Sequence, residues 1–236
     1  MKKNIMNKVA NLNSFFTKGY DITPIDKTFI QHLGGYVLLE DFGRGGEGKY
    51  QGIENPIWDR DYLNLTPEFY TAQQKYVDLI NELLDYDYFK YWREVYGKFN
   101  YFKVNVNKMH PGTSIPWHWD GFDGSFIQLL FYINTPGVSA GGELEVGKVD
   151  NIQVNSTDNH PHWAPSKGLN YIQSNITHTG KIVPSNDCMI LLNNYNPLFV
   201  HRVNTTNVIR YSVIITYGFS NNWDNNKIKE YDVYDC

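Results

Sequence analysis

With only two cysteines in 236 residues, Cys188 and the terminal Cys236, the chain has no disulfide framework and no zinc site built from cysteine. Basic runs are equally scarce. Nothing exceeds Lys2-Lys3, and a formal charge of −4 with a pI near 6.0 offers no long-range attraction to phosphate backbones, so nucleic acid is not an expected partner. Long apolar runs are missing too. The stretch from Met1 to Phe16 carries lysines without the apolar segment of a signal peptide, and nothing later approaches a membrane span. The expectation is a soluble cytoplasmic protein with no membrane partner, in which the sequons at Asn64, Asn155, Asn175 and Asn204 carry little meaning.

What the chain does have is aromatic surface to bury. Its 18 Tyr and 6 Trp each combine an apolar ring with a polar group that needs a partner, which suits half-buried sheets and an aromatic-lined pocket. Residues 25 to 33 show a weak helical pattern, and Tyr36 to Phe42 reads as a strand running into a glycine-rich loop. That loop, Gly43 to Lys49, has the spacing of a phosphate-binding loop. However, Tyr50 follows where Ser or Thr would hold magnesium, and no helical pattern comes next, so it reads as a surface loop.

Thr66-Pro67-Glu68 is a helix start, with Thr as the cap and Pro at the first helical position. Phe69, Ala72, Tyr76, Ile80 and Leu83 then recur at helical spacing, and a second helical stretch runs from Tyr88 to Tyr96. Beyond residue 100 the character changes to about eight short strands: Tyr101 to Asn107, Ser114 to Asp120, Phe126 to Ile133, Gly142 to Val149, Lys181 to Val183, Met189 to Leu192, Val200 to Val203 and Ile209 to Phe219. The expected fold is mainly β with flanking helices, an α+β arrangement around a jelly roll. Residues 1–100 would form helical and strand support packed on the core. Residues 101–220 would form the core itself, and 221–236 a tail, in one structural domain. The stretch from Gly147 to Gly180, containing His160-Pro161-His162-Trp163 and His178, shows neither period and reads as a long inserted loop, equally suited to substrate contact or to a flexible insertion.

The chemistry concentrates in His118-Trp119-Asp120, His201 and Arg210-Tyr211-Ser212. Alternate strand residues share a face, so His118 and Asp120 can point together while Trp119 turns away, and His201 on a later strand can complete the set. Two imidazoles and a carboxylate on one face of Fe(II) leave three positions open for a chelating co-substrate and O2. Arg210 begins a β-prone run with Ser212 on the same face. A buried guanidinium demands a carboxylate, either from an internal Asp or Glu or from a small diacid held in a pocket.

Several motifs in fixed order are more specific than any one. From Val104 to Phe219 the chain resembles the prolyl 4-hydroxylase-like branch of the Fe(II)- and 2-oxoglutarate-dependent oxygenases. The resemblance rests on His118-x-Asp120, the strand Leu129-Leu-Phe-Tyr132-Ile-Asn134, Gly141-Gly142-Glu-Leu144, Pro184-Ser-Asn-Asp187, His201-Arg-Val203 and Arg210-Tyr-Ser212. It implies a double-stranded β-helix, a cupin-like jelly roll, with His118, Asp120 and His201 as iron ligands. It also implies that Arg210 binds the distal carboxylate of 2-oxoglutarate, aided by Ser212 and Tyr132, with Gln128, earlier on the same face, as a further candidate. One departure qualifies the match, and two further positions set the chain apart from related branches. The aromatic usual upstream of the metal motif is not obvious, His110 lying near its place. Asp120 stands where related halogenases carry a small residue, and Thr216 stands where the nucleic-acid demethylase branch carries a second Arg.

The implied activity is that of a 2-oxoglutarate-dependent dioxygenase, a hydroxylase using Fe(II), 2-oxoglutarate as co-substrate and O2. It would hydroxylate an unactivated carbon of a small metabolite or amino acid and convert 2-oxoglutarate to succinate. No catalytic residue beyond the metal ligands is implied. Alternatives are a hydroxylase of a peptide or protein side chain, an enzyme using iron and O2 without 2-oxoglutarate, and a non-catalytic cupin-like binding protein. Trp119, Asp123 and the residues from His160 to Trp163 are candidate substrate contacts, each with packing or surface exposure as the plainer reading.

Overall fold

The computed structural model describes residues 12–42, 52–56, 58, 67–84, 101–120, 125–134, 137–150, 176–196 and 198–218. Two antiparallel sheets face each other. Helix α1 (Leu12–Lys18) leads into β1 (Tyr20–Pro24), then α2 (Lys27–Leu38), β2 (Ile53–Glu54) and α3 (Pro67–Leu84). The core strands follow: β3 (Tyr101–Met109), β4 (Ile115–His118), β5 (Ser125–Tyr132), β6 (Leu144–Val149), β7 (Ile176–Ile182), β8 (Cys188–Asn193), β9 (Phe199–Val203) and β10 (Arg210–Gly218). The larger sheet has the order β1-β8-β5-β10-β3-β2 and the smaller β4-β9-β6-β7. This is a jelly roll of mainly β character with helices outside it, as the sequence leads one to expect.

Strand alternation divides the larger sheet into two apolar faces. Val104, Val106, Leu129, Phe131, Leu191 and Val213 point outward and bury against Phe29, Leu33 and Val37 of α2 and Tyr76 and Ile80 of α3. Leu33 is wholly buried there, and its truncation to Ala is expected to cost about 2–5 kcal/mol. The opposite parity, Leu130, Tyr132, Ile190 and Leu192, faces inward and meets Leu144, Val146 and Val203 of the smaller sheet. Glu40 ties the helical layer together. It accepts hydrogen bonds from the Tyr76 hydroxyl at 2.7 Å and the Trp58 indole at 3.0 Å, and pairs with Lys75.

Seven of the eight core strands fall where the sequence places them, with bounds shifted by a few residues; the eighth, expected over Lys181 to Val183, runs instead from Ile176 to Ile182. Two local readings change. Tyr36-Val37-Leu38, expected as the start of a strand, continues α2. Asp26 caps this helix by accepting from the Thr28 amide at 2.6 Å, and Phe29, Ile30, Leu33 and Val37 form one buried helical face. Leu38 and Leu39, which a strand would place on opposite faces, are both exposed.

The stretch from Gly147 to Gly180 is not irregular at its ends. Gly147–Val149 complete β6 and Ile176–Gly180 begin β7, the two strands pairing from Leu144 opposite Ile182 to Val149 opposite Ile176 with one register shift between Val146 and Gly147. The polar side chains of β7 masked this strand, because its edge position leaves it largely uncovered. β1 and β2 carry the N-terminal support region into the larger sheet as its two edges. The glycine-rich loop 43–49, the stretch 88–96 and residues 160–163 lie outside the described residues. Among the described residues, no helix is long and apolar enough to cross a membrane.

Candidate metal and co-substrate site

β4 and β9 pair so that His118 lies directly opposite His201, and both side chains turn into the space between the sheets. Strand β4 ends at His118, so Asp120 is set by the chain beyond the strand rather than by strand alternation. Its carboxylate nonetheless bridges the two imidazoles: Oδ1 lies 3.6 Å from His118 Nε2, and Oδ2 lies 3.5 Å from His201 Nε2. One ligand atom from each of the three residues falls within 4.8 Å of the others, a spacing one metal ion can span.

The surroundings orient these donors. The Pro116 carbonyl can only accept, so His118 Nδ1 donates to it at 2.7 Å, leaving the Nε2 lone pair for a metal. Gln128 Nε2 donates to Asp120 Oδ2 at 2.8 Å. Withdrawal from water opposes ionisation of Asp120, yet the neighbouring His118 and His201 outweigh it and hold the carboxyl well below its ordinary value. Burial, then the neighbouring His118, lowers the pKa of His201 against the opposing pull of Asp120, which favours the neutral, ligating imidazole.

The three residues line a cavity enclosing about 390 Å³ of empty space, the open solvent at its mouth included. Its walls include Ile115, Leu130, Leu144, Leu192 and Ile214, and Arg210 and Tyr132 also line it. Arg210 is 2% exposed. Its Nη1 donates to the Gly142 carbonyl and its Nη2 meets the Met109 sulfur, while its guanidinium carbon sits 5.0 Å from the Tyr132 ring centre. No carboxylate pairs with it among the described residues, so the internal Asp or Glu considered from the sequence is not what neutralises it there. Its Nε and the Tyr132 hydroxyl are buried without a hydrogen-bond partner among the described residues. Burial lowers the Arg210 pKa, because withdrawal from water disfavours its charge.

Thus His118, Asp120, His201, Arg210, Ser212, Tyr132 and Gln128 all line one cavity. Gln128 is in addition bonded to Asp120, a contact the sequence did not indicate. His110 instead pairs with Glu54 at 2.9 Å and is not among the residues lining the cavity. Trp119 is buried behind the site, donating to the Asn194 carbonyl at 3.1 Å, and so packs rather than lines. His178 lies on β7 against Trp117, and Asp123 is outside the described residues. Sequence reasoning missed Met109, Asn107 and the Gly142 carbonyl. The first two share the inward parity of β3, a signal that strand alternation offers only once the inward face is known.

No family model matches the sequence, and no curated protein matches it. Solved structures do match in shape. A Pseudomonas putida prolyl-4-hydroxylase aligns with TM-score 0.56 and 12% identity, over 88% of this chain and 96% of that one. The epimerase SnoN, solved with Fe3+, alpha ketoglutarate and nogalamycin RO, gives 0.56 and 14% over 88% and 81%. A 2OG-Fe(II) oxygenase family oxidoreductase from Burkholderia pseudomallei gives 0.53 and 13% over 87% and 88%. The chain has the fold of the 2-oxoglutarate- and Fe(II)-dependent oxygenases. Within this oxygenase fold, the His118–Asp120–His201 cluster and Arg210 occupy one cavity between the two sheets.

Proposed function

We propose that the protein is an Fe(II)- and 2-oxoglutarate-dependent dioxygenase that hydroxylates an unactivated carbon of a small metabolite or amino acid. The observation that carries this reading is a single cavity holding a two-histidine, one-carboxylate cluster together with a buried arginine that has no carboxylate partner among the described residues. The donor set fits Fe(II), since nitrogen and carboxylate ligands on one face leave positions open. The orphaned Arg210 Nε and Tyr132 hydroxyl fit a small anion in the same cavity.

His118, Asp120 and His201 would hold the metal, with Pro116 and Gln128 fixing two of those side chains. Bound Fe(II) supplies oxygen activation driven by oxidative decarboxylation of 2-oxoglutarate to succinate and CO2. Arg210 would bind the distal carboxylate of the co-substrate, with Ser212 and Tyr132 beside it. Ser212 and Tyr132 lie in register on adjacent strands, and Ser212 is two residues from Arg210 along β10. The apolar walls limit water around the reacting carbon, and the reaction needs no separate general base.

A small substrate is favoured over a peptide because the described residues present no peptide-binding module. SnoN and the prolyl hydroxylase mark the two sides of that choice. A visible absorption band on adding 2-oxoglutarate to the anaerobic Fe(II)-loaded protein, followed by a succinate-release screen of amino acids and peptides, tests the reading. No band at saturating 2-oxoglutarate would favour a cupin-like binder. Oxygen consumption without succinate would favour an iron oxygenase that does not use the co-substrate, and peptide-dependent succinate would move the substrate class.

A further inference from the structure

Asn107 and Asn55 are a pair that the roles assigned above leave unused. Asn107 lies on β3 directly opposite Ser212 in the β3–β10 register, two residues from Met109, which is opposite Arg210. It also lines the cavity. Asn55 follows β2, the short strand at the edge of the larger sheet, and reaches the same point from outside the core strands.

The orientation of both amides follows from one backbone group. Asn55 Nδ2 lies 3.0 Å from the Val106 carbonyl oxygen, which can only accept, so the NH2 of Asn55 must face it. The same nitrogen lies 2.7 Å from Asn107 Oδ1. An NH2 already turned toward both partners can only donate, so Asn107 presents its oxygen to Asn55 and its own NH2 to the other side. No contact removes that NH2 from use among the described residues. Flipping Asn107 would set NH2 against NH2, leaving donors without acceptors.

We propose that Asn107 is an additional carboxylate-binding residue of the cavity, donating through Nδ2 beside Ser212 and Arg210, and that Asn55 is the positioning residue that keeps this amide turned inward. The proposal rests on the oxygenase reading and names a part of its co-substrate grip. It assigns the short β2 segment a task beyond packing: it sets a donor at the anion end of the cavity. Three donor types, the guanidinium, the Ser212 hydroxyl and the Asn107 amide, then come from two neighbouring strands, and the Tyr132 hydroxyl from a third.

The test is calorimetric titration of 2-oxoglutarate into the full-length protein loaded with Ni(II), which is inert toward turnover, with Ni(II) affinity measured alongside. Asn107→Leu is expected to weaken 2-oxoglutarate by about tenfold, as loss of a hydrogen bond to a charged group does, with Ni(II) affinity unchanged. Asn55→Ala is expected to weaken it less. Asn55→Asp is expected to weaken it more than Asn55→Ala, because a carboxylate at 55 draws the Asn107 NH2 away from the cavity and turns its oxygen toward the diacid. Adding Asn55→Ala to Asn107→Leu should bring no further loss, since the first acts only through the second.

Wild-type affinity in Asn107→Leu, or a fully additive double variant, would overturn the assignment while leaving the oxygenase reading intact. A wild-type protein that binds Ni(II) but no 2-oxoglutarate would instead overturn the oxygenase reading itself. Should Asn107→Leu fail to fold, Asn107→Asp, close to it in shape but an acceptor only, carries the same test, and undiminished 2-oxoglutarate affinity in that variant overturns the proposal.

Discussion

The imidazoles of His118 and His201 stand 4.2 Å apart, centre to centre, at a directly paired position of β4 and β9. Two cations so close would repel one another, and the lowered pKa of His201, from burial and then from His118, reflects that. With Asp120 within 3.6 Å of both Nε2 atoms, the arrangement suits neutral rings sharing one metal ion.

Removing the carboxylate should therefore cost most. Asp120→Ala is expected to lower Ni(II) or Fe(II) affinity by at least about 100-fold and to abolish succinate formation coupled to product, whereas Gln128→Leu, which frees the carboxylate without deleting it, costs about 10–100-fold in metal affinity. Metal titration by calorimetry checks both, and full affinity in Asp120→Ala would strike that residue from the ligand set.

Arg210→Met separates binding from stability. Arg210 is 2% exposed and has no carboxylate partner among the described residues, so an apolar residue of similar length relieves a buried charge. The expected outcome is loss of 2-oxoglutarate binding by about 100-fold or more with a Tm equal to or above that of the wild type. A sharp fall in Tm would show that Arg210 serves the fold instead.

Gly142 has φ +74° and supplies the carbonyl that accepts from Arg210 Nη1. A Cβ at this position would lie 2.7 Å from that same nitrogen, so Gly142→Ala must both strain the backbone and push the guanidinium aside. It should destabilise by about 1–3 kcal/mol and raise the KM for 2-oxoglutarate more than it lowers kcat. Denaturant unfolding and steady-state kinetics read the two effects separately.

Acid sensitivity should be traceable to Glu145. Burial opposes its ionisation, but hydrogen bonds from Asn204 at 2.8 Å and Arg202 Nε at 2.9 Å hold its pKa below the ordinary 4.5. A folded value below the unfolded one means a stabilising contribution fully present above the unfolded value and lost as pH falls through the folded value. Wild-type stability should decline below that range. Glu145→Gln, already less stable at pH 7, should decline less steeply, as unfolding curves at pH 7 and at pH 3 to 4 would show.

The core strands other than β7, and the outer helix α3, were legible because each buries one face, which writes a period of two or 3.6 into the residue types. The failures came where that link is weak. The helix α2 carried its stripe into a segment, Tyr36 to Leu38, whose β-prone residues suggested a strand. β7 is an edge strand with little burial to mark it, and the two-residue β2 is too short to leave any pattern.

The site shows the same division. Residue types fixed what the chemistry can be: two imidazoles, a carboxylate and a guanidinium are present, in an order that resembles a known family, however the chain folds. Which other groups attend them is a matter of through-space contact between segments far apart in sequence, such as Asn55 with Asn107, Gln128 with Asp120, and Gly142 with Arg210. A polar side chain's partner depends on direction and distance in three dimensions, and neither is encoded by a local period, so only the packed sheets could decide it.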